Sequence, residues 1–331
     1  MKIEVCVPVL LGVLLTIYAG LLPVVAASQS DTRQIGPASA IDWLAYDVRL
    51  NGIGVGVEKE QKILFVPLGS GFAKPANFTA KVSYKLAANG YRFAINGVRI
   101  ASGGVVNLKA LKYGAKIPIK LYRNGVLLDS YSLLFTNLPV IQFTAARIVD
   151  EPKSPGTFRL MSGQYKQDTG VRKMGIEFRG SPDSQTYDKK SLDVEIAKAT
   201  NWKKGQDVKL LDLNKDSDWI LDCVYVDTTF FRNLVSQDIF RAIRPGAYLD
   251  RNGKAHGQAA LRGHLTEVIK NGIYDGVYAL NEKPGRKMYG LQKITVPVDA
   301  TGKELWGKVD FNKPENGSVI YKGNIYDDKF N

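Results

Sequence analysis

The chain has 331 residues, 45 Lys and Arg against 32 Asp and Glu, a formal net charge of +13, two cysteines and two histidines. His256 and His264 have no Cys or carboxylate at ligand spacing, which argues against a zinc site or a Ser-His-Asp triad. The basic excess favours acidic partners such as nucleotides, phosphorylated or acidic proteins, anionic polymers or membrane surfaces, and no basic run is long enough to form a nucleic-acid arm.

At the amino terminus a single Lys2 precedes an uncharged run from Val5 to Val25, followed by small residues at Ala26-Ala27-Ser28 and then polar residues. This predicts a signal peptide over residues 1–27, cleaved after Ala27, with an uncleaved membrane anchor as the competing reading. The expected location is secreted, extracellular or cell-surface. Removing Cys6 with the signal leaves Cys223 alone, in the apolar stretch Trp219 to Tyr225. It reads as a buried structural thiol, and no internal disulfide is available.

Residues 28–140 read as an all-β, Ig-like sandwich. Phe78 to Tyr84 alternates apolar and polar residues, and Asn96-Gly97 and Asn124-Gly125 each join two alternating runs. Asn-Gly between such runs predicts a hairpin, because both turn positions need positive φ. Lysines alternate with apolar residues in Lys116 to Tyr122, as on the solvated face of a strand. The module reads as a spacer, or as an adhesion or carbohydrate-binding domain.

From residue 145 onward strands mix with helical periodicity. Gly175 to Arg179 and Ser191 to Ile196 alternate, with a polar loop between them. Lys189 and Lys190 open the second strand on opposite faces, so one is expected to point inward and to need an anionic partner. Asp227 or Thr228 caps a predicted helix whose apolar face is Phe230, Phe231, Leu234, Val235, Ile239 and Phe240, ending before Pro245-Gly246. Leu265 to Ile269, Asn271-Gly272 and Gly276 to Leu280 form a further predicted hairpin. The order suggests an α+β unit in which one helix packs on a small antiparallel sheet.

Four blocks in this half carry a resemblance. Ile176-Glu177-Phe178-Arg179-Gly180-Ser181 is followed by Tyr187-Asp188-Lys189-Lys190-Ser191, and Asp218-Trp219-Ile220-Leu221 by Asp227 to Asn233. Then come Asn271-Gly272-Ile273-Tyr274-Asp275-Gly276-Val277-Tyr278 with Glu282-Lys283, and finally Gly317 to Lys322. In this order and spacing they resemble the spore coat protein H (CotH) kinase family over about residues 145–325.

The resemblance implies an atypical protein-kinase-like N-terminal lobe, an incomplete kinase fold, over residues 145–331. It implies ATP and Mg as cofactors and phosphate transfer to serines of secreted or surface proteins. By position, Lys190 corresponds to a phosphate-contacting lysine, with Arg179 beside it, Arg232 and Asn233 on the helix facing the site, and Glu282 near the lobe junction. Family members continue with a WDxD-type motif that holds magnesium. Nothing after Lys322 matches it, and Asp327-Asp328 reads as a frayed acidic tail, so no metal ligand and no catalytic residue is assigned. Pro182-Asp183 departs from the family's small hydroxyl residues in the loop. The expectation is a secreted kinase-family fragment, inactive by itself. The alternative is a non-catalytic exported surface, coat or scaffold protein. Neither nucleic acid nor, apart from the signal segment, membrane is expected as a partner.

Overall fold

The computed structural model describes residues 42–305, apart from 70–75, 87–88, 181–185, 245, 250–252, 291–298, 302 and 304. The signal segment, the Pro182-Asp183 loop, Pro245 and the block Gly317 to Lys322 lie outside the described residues. By its internal contacts the chain from Asp42 onward is one compact unit.

After a 3-10 turn at Trp43–Tyr46 come β1 (Arg49–Leu50), β2 (Ile53–Gly54), β3 (Gly56–Glu58), β4 (Ile63–Pro67) and β5 (Ala76–Ser83). They are followed by β6 (Tyr91–Ile95), β7 (Val98–Ile100), β8 (Val105–Leu111), β9 (Lys116–Arg123) and β10 (Val126–Thr136). These ten strands make a four-stranded sheet, β2-β1-β5-β8, and a six-stranded one, β3-β4-β10-β9-β6-β7. Phe78 of β5 meets Phe135 of β10 at 5.7 Å between the two sheets, and Trp43 of the 3-10 turn packs on the six-stranded sheet against Phe93 at 5.4 Å and Tyr131 at 4.4 Å. The two Asn-Gly turns fall where the alternation ends. Asn96 and Gly97 have φ of 49° and 80°, Asn124 and Gly125 48° and 86°, the left-handed values that a two-residue hairpin turn matched to strand twist requires.

The second half contains β11 (Val140–Ala145), β12 (Ser154–Ser162), β13 (Gln167–Asp168), β14 (Arg172–Arg179), β15 (Ser191–Lys198), β16 (Asn201–Gly205) and β17 (Asp218–Asp222). Helix α1 (Arg232–Ile243), β18 (Tyr248–Leu249), β19 (Ala255–His256), β20 (Gly263–Lys270) and β21 (Ile273–Glu282) complete it. Seven strands pair in the order β11-β20-β21-β17-β15-β14-β12, and β12 pairs back with β11, closing a barrel. Alternate residues fill its inside: Leu192, Val194 and Ile196 of β15, Met174 and Ile176 of β14, Trp219 and Leu221 of β17, Tyr278 and Leu280 of β21. Closure removes the sheet edges, and period-two alternation supplies the core.

This overturns the expectation of an all-β sandwich followed by an α+β, kinase-like N-terminal lobe. The described residues are β-rich in both halves, and the second half is a closed barrel with one α-helix among the described residues. Helix α1 covers no core. None of its residues is buried, and Phe231, Val235, Ile239 and Phe240, predicted to face inward, are exposed. The barrel's own strands already fill its interior, so the helix has no apolar cavity to cap. It rests on the strap before β20 through polar contacts: the Arg241 guanidinium donates to the Leu261 carbonyl, and the Leu261 amide donates to Gln237 Oε1 at 3.2 Å. Asp227 does serve the helix entrance, accepting the Arg232 amide at 2.9 Å.

Sandwich and barrel meet along β3 and β4. Ile63 and Phe65 pack with Val140, Met161 and Ile269, and the Val57 amide donates to Gln142 Oε1 at 3.0 Å. A buried ionic group ties them further. Arg159 of β12 makes a two-pronged contact with Asp168, at 2.9 and 2.7 Å, and reaches Asp47 at 3.0 Å. Asp168 also accepts from the Gly54 amide at 3.0 Å and from Arg49 at 3.1 Å. Burial opposes ionisation of both aspartates, yet the arginines outweigh it and hold both carboxyls below their ordinary range.

Candidate functional site

The β14–β15 hairpin brings two of the five predicted site residues to one end of the barrel. Arg179 closes β14 opposite Ser191, and Lys190 stands one residue before Ser191. Gly180 follows with φ of 122°, a conformation that a side chain would strain. Arg179 reaches Asp193 Oδ2 on the outer face at 3.4 Å, a long contact that leaves most of the guanidinium donors without a partner among the described residues. The Lys190 ammonium lies 5.4 Å from the centre of the Phe178 ring and has no carboxylate partner among the described residues. The inward-pointing lysine of the pair is Lys189. Its ammonium donates to the Val277 carbonyl at 2.6 Å and sits 4.1 Å from the centre of the Tyr278 ring, so a carbonyl and a ring replace the anion expected. Burial lowers its pKa, and the nearby Asp275 only partly compensates.

The other three residues stand elsewhere. Arg232 is 69% exposed on the first turn of α1, where it pairs loosely with Asp227 at 3.5 Å. Asn233 is exposed beside it and accepts from Gln237 Nε2 at 3.5 Å. Glu282 is buried at the end of β21 on the interior side, and its donors are already in place. It accepts from the Asn214 amide at 2.7 Å, the Arg262 amide at 3.1 Å, the Arg262 guanidinium at 3.2 and 2.8 Å, and the Gln258 amide group. Glu282 thus pins the 206–216 and 258–262 loops to the barrel end. Its acceptor sites are spent inside the fold.

Around Arg179 the outer faces of β14, β15, β17 and β21 carry an ionic cluster. Asp193, opposite Glu177 on one side and Ile220 on the other, is buried at its centre. Lys283 reaches it at 2.6 Å and Lys153 at 3.3 Å. Lys153 also contacts Glu195 at 3.3 Å and Asp218 at 3.4 Å. Burial works against the Lys153 charge, but the three carboxylates more than offset it and raise its pKa. Glu177, desolvated beside Asp193, is raised above the ordinary carboxylate value. Glu151, Lys153, Glu177, Glu195 and Trp202 line an open cleft of about 460 Å³ along this face. Asp193 and Glu195 were legible as the polar half of the β15 alternation. Lys153 belongs to the entry to β12 and Lys283 to the end of β21, and only pairing in space unites them.

Among the described residues no three His, Cys, Asp or Glu side chains form a metal-sized group, and Asp193, Glu195 and Asp218 all share Lys153. Phosphate fits in part. Arg179 and Lys190 offer donors with no short carboxylate contact at the mouth of the hairpin, whereas Arg232, Asn233 and Glu282 do not join them.

The CotH kinase protein family model matches residues 176–305. That span begins in β14 and includes the hairpin, β17, α1 and the β20–β21 pair. The chain therefore carries a CotH kinase family domain. No curated protein sequence matches it significantly.

Proposed function

We propose that this chain is an exported CotH-family protein that binds ATP at the mouth of the β14–β15 hairpin, in the service of phosphate transfer to serines of extracellular or surface proteins. The observation that carries the reading is the family match over residues 176–305, which contains the Arg179-Gly180 and Lys189-Lys190 blocks. Bound ATP would supply the phosphoryl group, and Arg179 and Lys190 would meet its phosphate oxygens as fixed cations. Export is assigned to residues 1–27, on the uncharged run and the small residues that follow it.

A second reading has its own support. Glu282 is consumed by Arg262, Gln258 and Asn214, and the acids around Asp193 are neutralised by Lys153 and Lys283. An arrangement so fully paired suits a non-catalytic scaffold at the cell surface. Titrating the purified chain with ATP, with and without magnesium, separates the two. Saturable binding that Lys190→Ala or Arg179→Ala weakens about tenfold, while Arg232→Ala leaves it unchanged, supports the nucleotide site. A folded chain that binds no ATP at about millimolar concentration leaves the scaffold.

A further inference from the structure

From Gln61 to Leu128 the sequence has eleven lysines and arginines and no aspartate or glutamate. The fold sorts part of this acid-free segment onto one surface. In the six-stranded sheet Phe93, Ile95, Ile119 and Leu121 are buried, so their alternates face outward. On the β3–β4 side, Ile63 and Phe65 are covered by the barrel. On the β9–β6–β7 side nothing described covers the sheet, and Arg99, Lys116 and Lys120 stand exposed there with Arg92. Ala94 pairs with Arg99 on one strand and Lys120 on the other, which sets the backbones of those two residues about 10 Å apart over a small buried residue. Arg99, Lys116 and Lys120 have no carboxylate partner among the described residues.

We infer that this face binds an acidic polysaccharide. A single phosphate cannot touch cations spread over a flat sheet, whereas a chain bearing repeated sulfates or carboxylates can meet several at once. The Arg99 guanidinium lies 5.2 Å from the centre of the Tyr122 ring, so the ring orients the cation and its face is already occupied. That leaves no open aromatic platform for nucleobases to stack on. Between the cations the outward positions are the small or polar Ala94, Pro118, Ser130 and Ser132, and the exposed Val126, Leu127 and Leu128 stand apart from them at the hairpin end of β10. The inference rests on the sandwich alone and is independent of the ATP site.

The test is binding of the full chain to heparin, which is sulfated, and to polygalacturonate, which is carboxylated, at about 50 and about 300 mM salt. The variant is Arg99→Gln/Lys116→Gln/Lys120→Gln. The control Lys203→Gln/Lys204→Gln/Lys215→Gln removes the same charge from the barrel half. We expect salt-sensitive, saturable binding to at least one polymer. The sheet variant should weaken it about tenfold, as three exposed charge contacts would, with the control close to wild type. Preference between the polymers tells sulfate from carboxylate. Equal loss in the control would reduce the effect to net charge and overturn the inference, as would failure to bind either polymer. Tighter binding to phosphatidylglycerol vesicles or duplex DNA, lost in the same variant, would assign the face to lipid or nucleic acid instead.

Discussion

Two outward sheet faces of this molecule are built from the same period-two alternation and carry opposite electrostatic designs. On β14, β15, β17 and β21, Asp193 is buried and held by Lys153 and Lys283, and its neighbours Glu195 and Asp218 share Lys153. On β7 and β9 the charges are of one sign and exposed, and Arg99, Lys116 and Lys120 have no carboxylate partner among the described residues. The first face satisfies itself, so its charges act on stability. The second leaves its charges to a partner, and removing them should cost the fold almost nothing. The contrast shows that charge density alone does not mark a binding surface. What matters is whether the counter-charge lies inside the chain.

The contrast breaks most visibly at Asp193. Asp193→Ala removes the buried carboxylate that Lys153 and Lys283 share, leaves them only the less buried Glu195 and Asp218, and should cost about 3 kcal/mol in denaturant unfolding. A loss below about 1 kcal/mol would show that the cluster is not self-satisfied after all.

Arg159→Leu should cost about 3 kcal/mol, because Asp168 loses its two-pronged counter-charge while its side chain stays buried, and only Arg49 remains to hold Asp168 and Asp47 together. It also sharpens the comparison through pH. Both aspartates titrate below their ordinary range when folded. Their stabilisation is therefore present above the unfolded carboxylate value of about 4 and is lost as pH falls through the lower folded value. Thermal unfolding followed from neutral pH downward should show this acid-side decline in wild type and a flatter one in Arg159→Leu. Parallel curves would remove the linkage.

A smaller effect of the opposite sign is expected at Glu177. Its carboxyl is raised by burial and by Asp193, so the folded state holds its proton more tightly. Stability should then fall as pH rises from the unfolded value through the folded one, and Glu177→Gln should raise the midpoint slightly at neutral pH. A lowered midpoint would mean that Lys153 depends on Glu177. Smallest of all, Arg99→Gln/Lys116→Gln/Lys120→Gln should stay within about 0.5 kcal/mol of wild type. A larger loss would show that the basic face serves the fold.

Short-range chemistry was legible in the sequence. Asn96-Gly97, Asn124-Gly125 and Asn271-Gly272 all turn with positive φ, because only residues with little penalty in that region can close a two-residue hairpin. Cys223 is buried, as its apolar surroundings indicated. The alternation of β15 already separated Leu192, Val194 and Ile196 from Asp193 and Glu195, and the family blocks were recognisable as strings. Tertiary structure alone decided which of these met. Pairing of β12 with β11 closes a sheet whose strands could equally have stayed open, and closure, by filling the interior from the strands, left the apolar stripe of α1 without a core to enter. The same long-range pairings spent Glu282 on Arg262 and drew Lys153 and Lys283 to Asp193 across 40 and 90 residues of sequence. Local pattern specifies which side of a strand a residue takes. Which residue stands opposite depends on register between distant strands, and that is a property of the closed sheet rather than of any segment.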